Sequence, residues 1–257
     1  MIILLCSCPD GIPWKFTAVY GPNSASLRHR LWSELDQVAA IPHPIWALGG
    51  DFNVTRWPYE RKSSTSISQD MRDFSEFINR QELLDSPLQG CRYTWSNHAS
   101  EPSLSKLDRF LLSLNWEESF LTSSAIALPN PTSDHCPILL DTMAVRRGPK
   151  PFRFELAWLQ ESSLSTLIPT WCNSFSSQVR GRAGYRLQTK IQLLNASLKT
   201  WSRSTPCNYS LIKSSLLESI QQLNHLEECK PLNTTEKDLR TQSKMEYLSI
   251  LKKEEIY

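Results

Sequence analysis

Asp51 and Asn53 stand one residue apart directly after Gly49-Gly50, and Ser133-Asp134-His135 stands just ahead of the apolar run Cys136 to Leu140. Between them Asp108 sits inside Leu107-Asp108-Arg109-Phe110-Leu111, and ahead of all of them Tyr20 lies in Val19-Tyr20-Gly21-Pro22-Asn23. Carboxylates can hold a hard divalent cation, a carboxamide and a phenol can position phosphate oxygens, and a His beside an Asp can serve as an acid or a metal-linked pair. Together these groups suit hydrolysis of a phosphodiester. Each alone also has a plainer explanation. Asp51 and Asn53 can make an Asx turn, Asp134-His135 a capped turn, and Asp108 a local pair with Arg109. Neighbouring strand residues point to opposite faces, however, so Asp108 can instead orient His135 through a ring nitrogen.

The elements that would position these residues can be read from spacing. Ile2 to Cys8 and Trp14 to Tyr20 are two β-rich runs separated by a turn at Pro9-Asp10-Gly11-Ile12-Pro13. Leu27, Leu31, Leu35 and Val38 predict an amphipathic helix over 24 to 40, and Pro44 to Leu48 predicts a buried strand delivering Asp51 at its carboxyl end. A second helix is predicted over 67 to 84, then strands at 91 to 96, 106 to 112, 124 to 128 and 136 to 141. The break at Met143 to Pro151 ends a first domain, 1 to 145. Helices are predicted at 155 to 175, 185 to 201, 209 to 229 and 235 to 256, making 146 to 257 a helical region. Beyond Trp201 there is no Trp or Phe, which predicts long exposed helices with little core of their own.

A chain of 257 residues, 40% hydrophobic, has room for one large or two ordinary packed domains. Its formal charge of +2 hides an asymmetry: 14 basic and 16 acidic residues over 1 to 150, against 14 and 10 over 151 to 257. The stretch 151 to 213 is the most basic, suited either to nucleic acid phosphates, RNA included, or to an ordinary solvated helix face. Seven scattered cysteines without a Cys-x-x-Cys pair suggest neither a disulfide framework nor a zinc site. No signal peptide or membrane-spanning segment is evident, so the expected location is intracellular, nuclear or cytoplasmic, without a membrane partner.

The ordered signatures together resemble the endonuclease/exonuclease/phosphatase superfamily, most closely the endonuclease domain of non-LTR (LINE-type) retrotransposon polyproteins. The stretches that carry the resemblance are Ala18 to Pro22, Trp46 to Val54, Tyr93 to Asn97, Lys106 to Leu111 and Ser133 to Ile138; Pro151 to Glu155 and Glu254 to Tyr257 resemble the linker that precedes a reverse transcriptase. The resemblance implies an α/β (α+β) four-layer sandwich, two mixed sheets flanked by helices, and a DNA-nicking activity dependent on Mg²⁺, with Mn²⁺ as a substitute. It implies that Tyr20 contacts the scissile phosphate, Asp51 orients or deprotonates the attacking water and Asn53 stabilises the transition state. It further implies that Asp134 lies near the metal, that Asp108 pairs with His135 facing the phosphate, and that Thr94 and Ser133 line the substrate. Family members also carry an Asn and a principal metal-binding Glu on earlier strands. Neither residue type precedes Tyr20, where Asp10 is the only acid. The reading is therefore of a domain lacking its first strands, with sheet edges left uncovered and cleavage inactive or impaired. The alternatives are a non-catalytic nucleic-acid-binding remnant and another phosphodiesterase or phosphatase of the superfamily.

Overall fold

The computed structural model describes residues 2–7, 11, 13–62, 64–99, 101–142, 154, 158–159, 161–204 and 209–255. Asp10, the domain end expected at 143–151, most of Pro151 to Glu155 and the last two residues lie outside the described residues. The chain divides into two compact units, Met1–Arg146 with Gln221–Lys237, and Arg147–Ile220 with Asp238–Tyr257.

In the first unit the order is β1 (Ile2–Ser7), β2 (Pro13–Tyr20), α1 (Ala25–Ala39), β3 (Trp46–Asp51), α2 (Gln69–Arg80), β4 (Leu83–Asp85), β5 (Leu88–Gln89), β6 (Trp95–Ser96), β7 (Leu104–Ser105), β8 (Asp108–Ser113), α3 (Leu114–Ser119), β9 (Ser124–Ala127) and β10 (Ile138–Asp141). A five-stranded sheet runs β1-β2-β3-β8-β4, and a three-stranded sheet runs β10-β9-β5. Both are mixed, because β2 and β3 are parallel in the first and β5 and β9 in the second, while the other pairs are antiparallel. Strands β6 and β7 make a separate ribbon.

Strand alternation decides the layers. Val19, Leu48 and Leu111 face Leu31, Trp32, Leu35 and Val38 of α1 and Phe74, Phe77 and Ile78 of α2. The Trp32 ring stacks on Phe74 and Phe77 with centroids 5.1 and 5.3 Å apart. Each such buried side chain contributes about 1.5–3 kcal/mol relative to exposure. On the opposite face Ala47, Phe110 and Leu112 pack with Ala125 of β9 and with Ile138 and Leu140 of β10. The unit is thus α/β, two mixed sheets face to face with helices covering the larger one.

Lys15 is fully buried on the helix side of β2. Its Nζ donates to the Val38 and Ile41 carbonyls at 2.6 and 3.2 Å, closing the carboxyl end of α1, and lies 4.4 Å from the centre of the Trp46 ring. Burial pulls its pKa below the ordinary lysine value. At the sheet edge, β1 leaves Ile2, Ile3, Leu4 and Leu5 between 38 and 64% exposed.

Two boundaries of the first unit differ from the sequence expectation by several residues. The second helix ends at Arg80, not Leu84: Glu82 takes φ +50°, and Leu83–Asp85 pairs with β8. Leu83 and Leu84 fit a helical period, but a partner strand distant in sequence captures them. Of the strand expected at 91 to 96, only Trp95 and Ser96 are extended and paired, because that run meets a two-residue partner.

The second unit is helical. It draws on α4 (Ser162–Gln178), α5 (Ala183–Ser204), α6 (Tyr209–Cys229) up to Ile220 and α7 (Thr234–Glu255) from Asp238. Trp158, Leu164, Leu198 and Trp201 form a core that Leu167, Trp171 and Leu194 flank, with Trp158 edge-on to Trp201 at 5.7 Å. Beyond Trp201, α6 and α7 nevertheless bury Ile220 and Ile250 within this unit, so aliphatic stripes serve where aromatics are lacking.

Candidate metal and phosphate site

Strands β3 and β8 are antiparallel with Asp51 directly opposite Asp108, so both carboxylates project from the same face at one end of the larger sheet. The preceding Gly50 is required by its surroundings: at φ +135° a Cβ would overlap the Val19 carbonyl of β2. Gly21 is held as closely, since a Cβ there would overlap the Phe52 backbone, and its N–H donates to the Asp51 carbonyl at 2.6 Å.

Asn53 enters the left-handed region at φ +53°, which Asn tolerates better than most residues. Its backbone N–H donates to Asp51 Oδ1 at 2.7 Å, and its Nδ2 donates to Asp51 Oδ2 at 2.8 Å and to the Gly21 carbonyl at 2.7 Å. Both oxygens of Asp51 are thereby fixed. On β8, the backbone N–H groups of Leu107 and Asp108 both donate to Thr94 Oγ1 at 2.9 Å. Thr94 is buried, so it positions Asp108 from behind.

His135 arrives on the segment before β10. Residues 94–96 pair with 134–136 through Ser96 N–H to the Asp134 carbonyl at 3.0 Å and Cys136 N–H to the Thr94 carbonyl at 2.6 Å. Ser133 Oγ accepts the His135 N–H at 3.0 Å. The imidazole Nδ1 lies 2.9 Å from Asp108 Oδ2, and Nε2 lies 4.0 Å from Asp51 Oδ2. Asp51, Asp108 and His135 each offer one ligand atom, all within 4.8 Å of one another. It is the only such His, Cys, Asp and Glu group found among the described residues, and it could hold a metal ion.

The electrostatics follow from this crowding. Burial pushes the Asp51 carboxyl up, the Asn53 N–H pulls it down, and the charge of Asp108 raises it further, leaving it above its ordinary value. Burial pulls the His135 imidazole down, but the Asp108 hydrogen bond and the charges of Asp108, Asp51 and Asp134 outweigh it and hold the ring above its ordinary value. The Trp95 indole N–H, 3.0 Å from Asp134 Oδ2, holds that carboxyl below the usual range.

Of the residues singled out by sequence, the fold joins Asp51, Asn53, Thr94, Asp108 and His135. Tyr20 lies beside Asp51 in the parallel register, with its side chain largely exposed. Asp134 is exposed and stands outside the three-residue ligand group, and Ser133 supports the backbone of His135. Two contributors escaped the sequence reading. Arg28 of α1 donates to the carbonyls of Pro22, Asn23 and Asn53 at 3.0–3.2 Å and pairs with Asp70 at 2.6 Å, clamping the loops around the site. Trp95 fixes Asp134. Neither has a local signal, because the partners that matter, Asn53 and Asp70 for Arg28 and Asp134 for Trp95, lie far along the chain.

On the other face of β8, Arg109 is fully buried. It donates to Asp85 Oδ2 at 2.7 Å, to Glu60 Oε2 at 2.9 Å and to the Lys106 carbonyl at 3.0 Å, and burial is outweighed by these carboxylates so that its pKa rises. Asp108 and Arg109, adjacent in sequence, therefore serve separate networks.

No family model matches the chain, and no curated protein sequence matches it. Among the described residues, no helix is long and apolar enough to cross a membrane.

Proposed function

We propose that the Asp51, Asp108 and His135 group is the centre of a divalent-metal-dependent phosphodiesterase that nicks DNA, related to the endonuclease domain of non-LTR retrotransposons within the endonuclease/exonuclease/phosphatase superfamily. The observation that carries this reading is the convergence of two carboxylates and an imidazole from separate elements within 4.8 Å. Two carboxylates suit Mg²⁺ or Mn²⁺, and the imidazole is a competent third donor. The cation, when bound, offsets negative charge that develops on the phosphate oxygens. Asp51, whose carboxyl burial holds above its ordinary value and so makes a stronger base, takes a proton from the attacking water. A P–O bond to that water forms as the bond to the leaving sugar oxygen breaks. Asp108 keeps the His135 ring turned towards Asp51, and Asn53 keeps Asp51 from rotating. The strands leading into Tyr20, Ile2–Ser7 and Pro13–Tyr20, carry no carboxylate, so Asp51, Asp108 and His135 are the residues that would hold the cation.

Conversion of supercoiled plasmid to open circle with Mg²⁺ or Mn²⁺ tests the reading. Asp51→Ala and His135→Ala should each abolish the conversion. Nicking that survives both substitutions, or none at any cation concentration, would sink it. A second reading, nucleic-acid binding without cleavage, is favoured by the exposure of Arg180, Arg182 and Arg186 in the helical unit. It requires salt-sensitive binding that Asp51→Ala leaves unchanged.

A further inference from the structure

Cys91 and Cys136 play no part in the proposed hydrolysis, yet the fold brings them together. Gly90 lies against the backbone of Ala127, so closely that a Cβ there would come within 3.3 Å of the Ala127 carbonyl oxygen. The Cys136 thiol donates to the next carbonyl along, Leu128, at 2.9 Å. The residue after Gly90 and the side chain of Cys136 therefore meet at neighbouring points of the same β9 end. Both thiols line one cavity with Thr94, Asn130 and Asp134, near enough to influence one another. Each is only partly buried and each holds a free thiol.

We propose that Cys91 and Cys136 form a reversible disulfide when the protein meets a peroxide, making this pair a redox modification site. One sulfur attacks hydrogen peroxide: its O–O bond breaks, a sulfenic acid forms and one water leaves. The second thiol attacks that sulfur, the S–S bond forms, the S–O bond breaks and a second water leaves. Two thiols thus lose two protons and two electrons to one peroxide, and a dithiol reductant reverses the change. The cross-link ties the turn at Gly90-Cys91 to the residue next to His135, so the segment carrying His135 is held more firmly against residues 94–96. This proposal is independent of phosphodiester cleavage.

The test treats the full chain with hydrogen peroxide, alkylates the remaining thiols, and maps peptides without reduction. A Cys91–Cys136 linked peptide, loss of two of the seven alkylatable thiols, their return with dithiothreitol, and a rise in Tm on the order of 5 °C are expected. In Cys91→Ser, Cys136 should accumulate as a dimedone-reactive sulfenic acid. Retention of both alkylatable thiols after peroxide, or linkage of either sulfur to a different cysteine, would overturn the proposal. The wild-type map decides this even if the variant fails to fold.

Discussion

Thr94 spends its one hydroxyl on two backbone N–H groups, those of Leu107 and Asp108, and so sets where the Asp108 carboxylate stands relative to His135. Thr94→Val keeps the shape and orphans both donors; a loss of about 2 kcal/mol in urea unfolding is expected, with any nicking falling further than DNA binding. His135 supplies a pH signature. Its folded pKa lies above the ordinary value, so its ionic contribution is fully present below about pH 6.5 and fades as pH rises through the raised folded value. With chelator present, the Tm gap between wild type and His135→Gln should therefore be widest below about pH 6.5 and close as pH rises past the raised folded value. A gap that widens with pH would show that Asp108 does not favour the imidazolium. Asp51, Asn53, Asp108 and His135 could be picked out in sequence because they break local rules: a carboxylate inside an apolar run, a polar pair after two glycines. Arg28 and Trp95 break none. Their partners Asn53 and Asp134 lie 25 and 39 positions away, so only the folded chain reveals what they hold.

Among the elements, β8 works as a two-sided wall, with Asp108 serving the candidate site and Arg109 the buried Glu60–Asp85 network. Arg109→Met removes the fully buried cation of this network and leaves Glu60 and Asp85 with the longer ion pairs to Lys106, at 3.9 and 3.6 Å, and, for Asp85, to Arg56 at 3.8 Å; a loss of about 3 kcal/mol is expected by chemical denaturation. Gly50 is the tightest point of the β2–β3 pair, and Gly50→Ala should cost at least about 3 kcal/mol, since both its φ and the Val19 carbonyl forbid a Cβ. A melting curve unchanged by Gly50→Ala would contradict the register. Long elements such as α1, β3 and β8 were legible because their apolar spacing runs over several repeats. The short ones β4, β5 and β7 were not, and β6 is only the end of a longer expected run, since two or three extended residues have no period and depend on partners elsewhere in the chain. Leu83–Asp85 shows the competition directly: helical by spacing, a strand by pairing with Leu111 to Ser113.

For the molecule as a whole, the two units draw on interrupted stretches of chain, with α6 and α7 each shared between them. The fold class was readable from the alternation of strand-like and helix-like runs, whereas this sharing was not, because nothing in a helix's own period says which unit will claim its two halves. Strand β1 bears on behaviour in solution. Among the described residues it presents Ile2 to Leu5 with an unpaired backbone edge, and a formal charge of +2 on 257 residues offers little mutual repulsion. Two such edges can zip together, and because each chain has one, the pairing closes at a dimer, so the apparent mass in light scattering should rise with concentration towards twice that of the monomer. Leu4→Lys should keep the mass at that of the monomer, while Asp51→Ala leaves the rise unchanged. The size of the particle in a concentrated stock is then governed by six residues at one edge of the sheet.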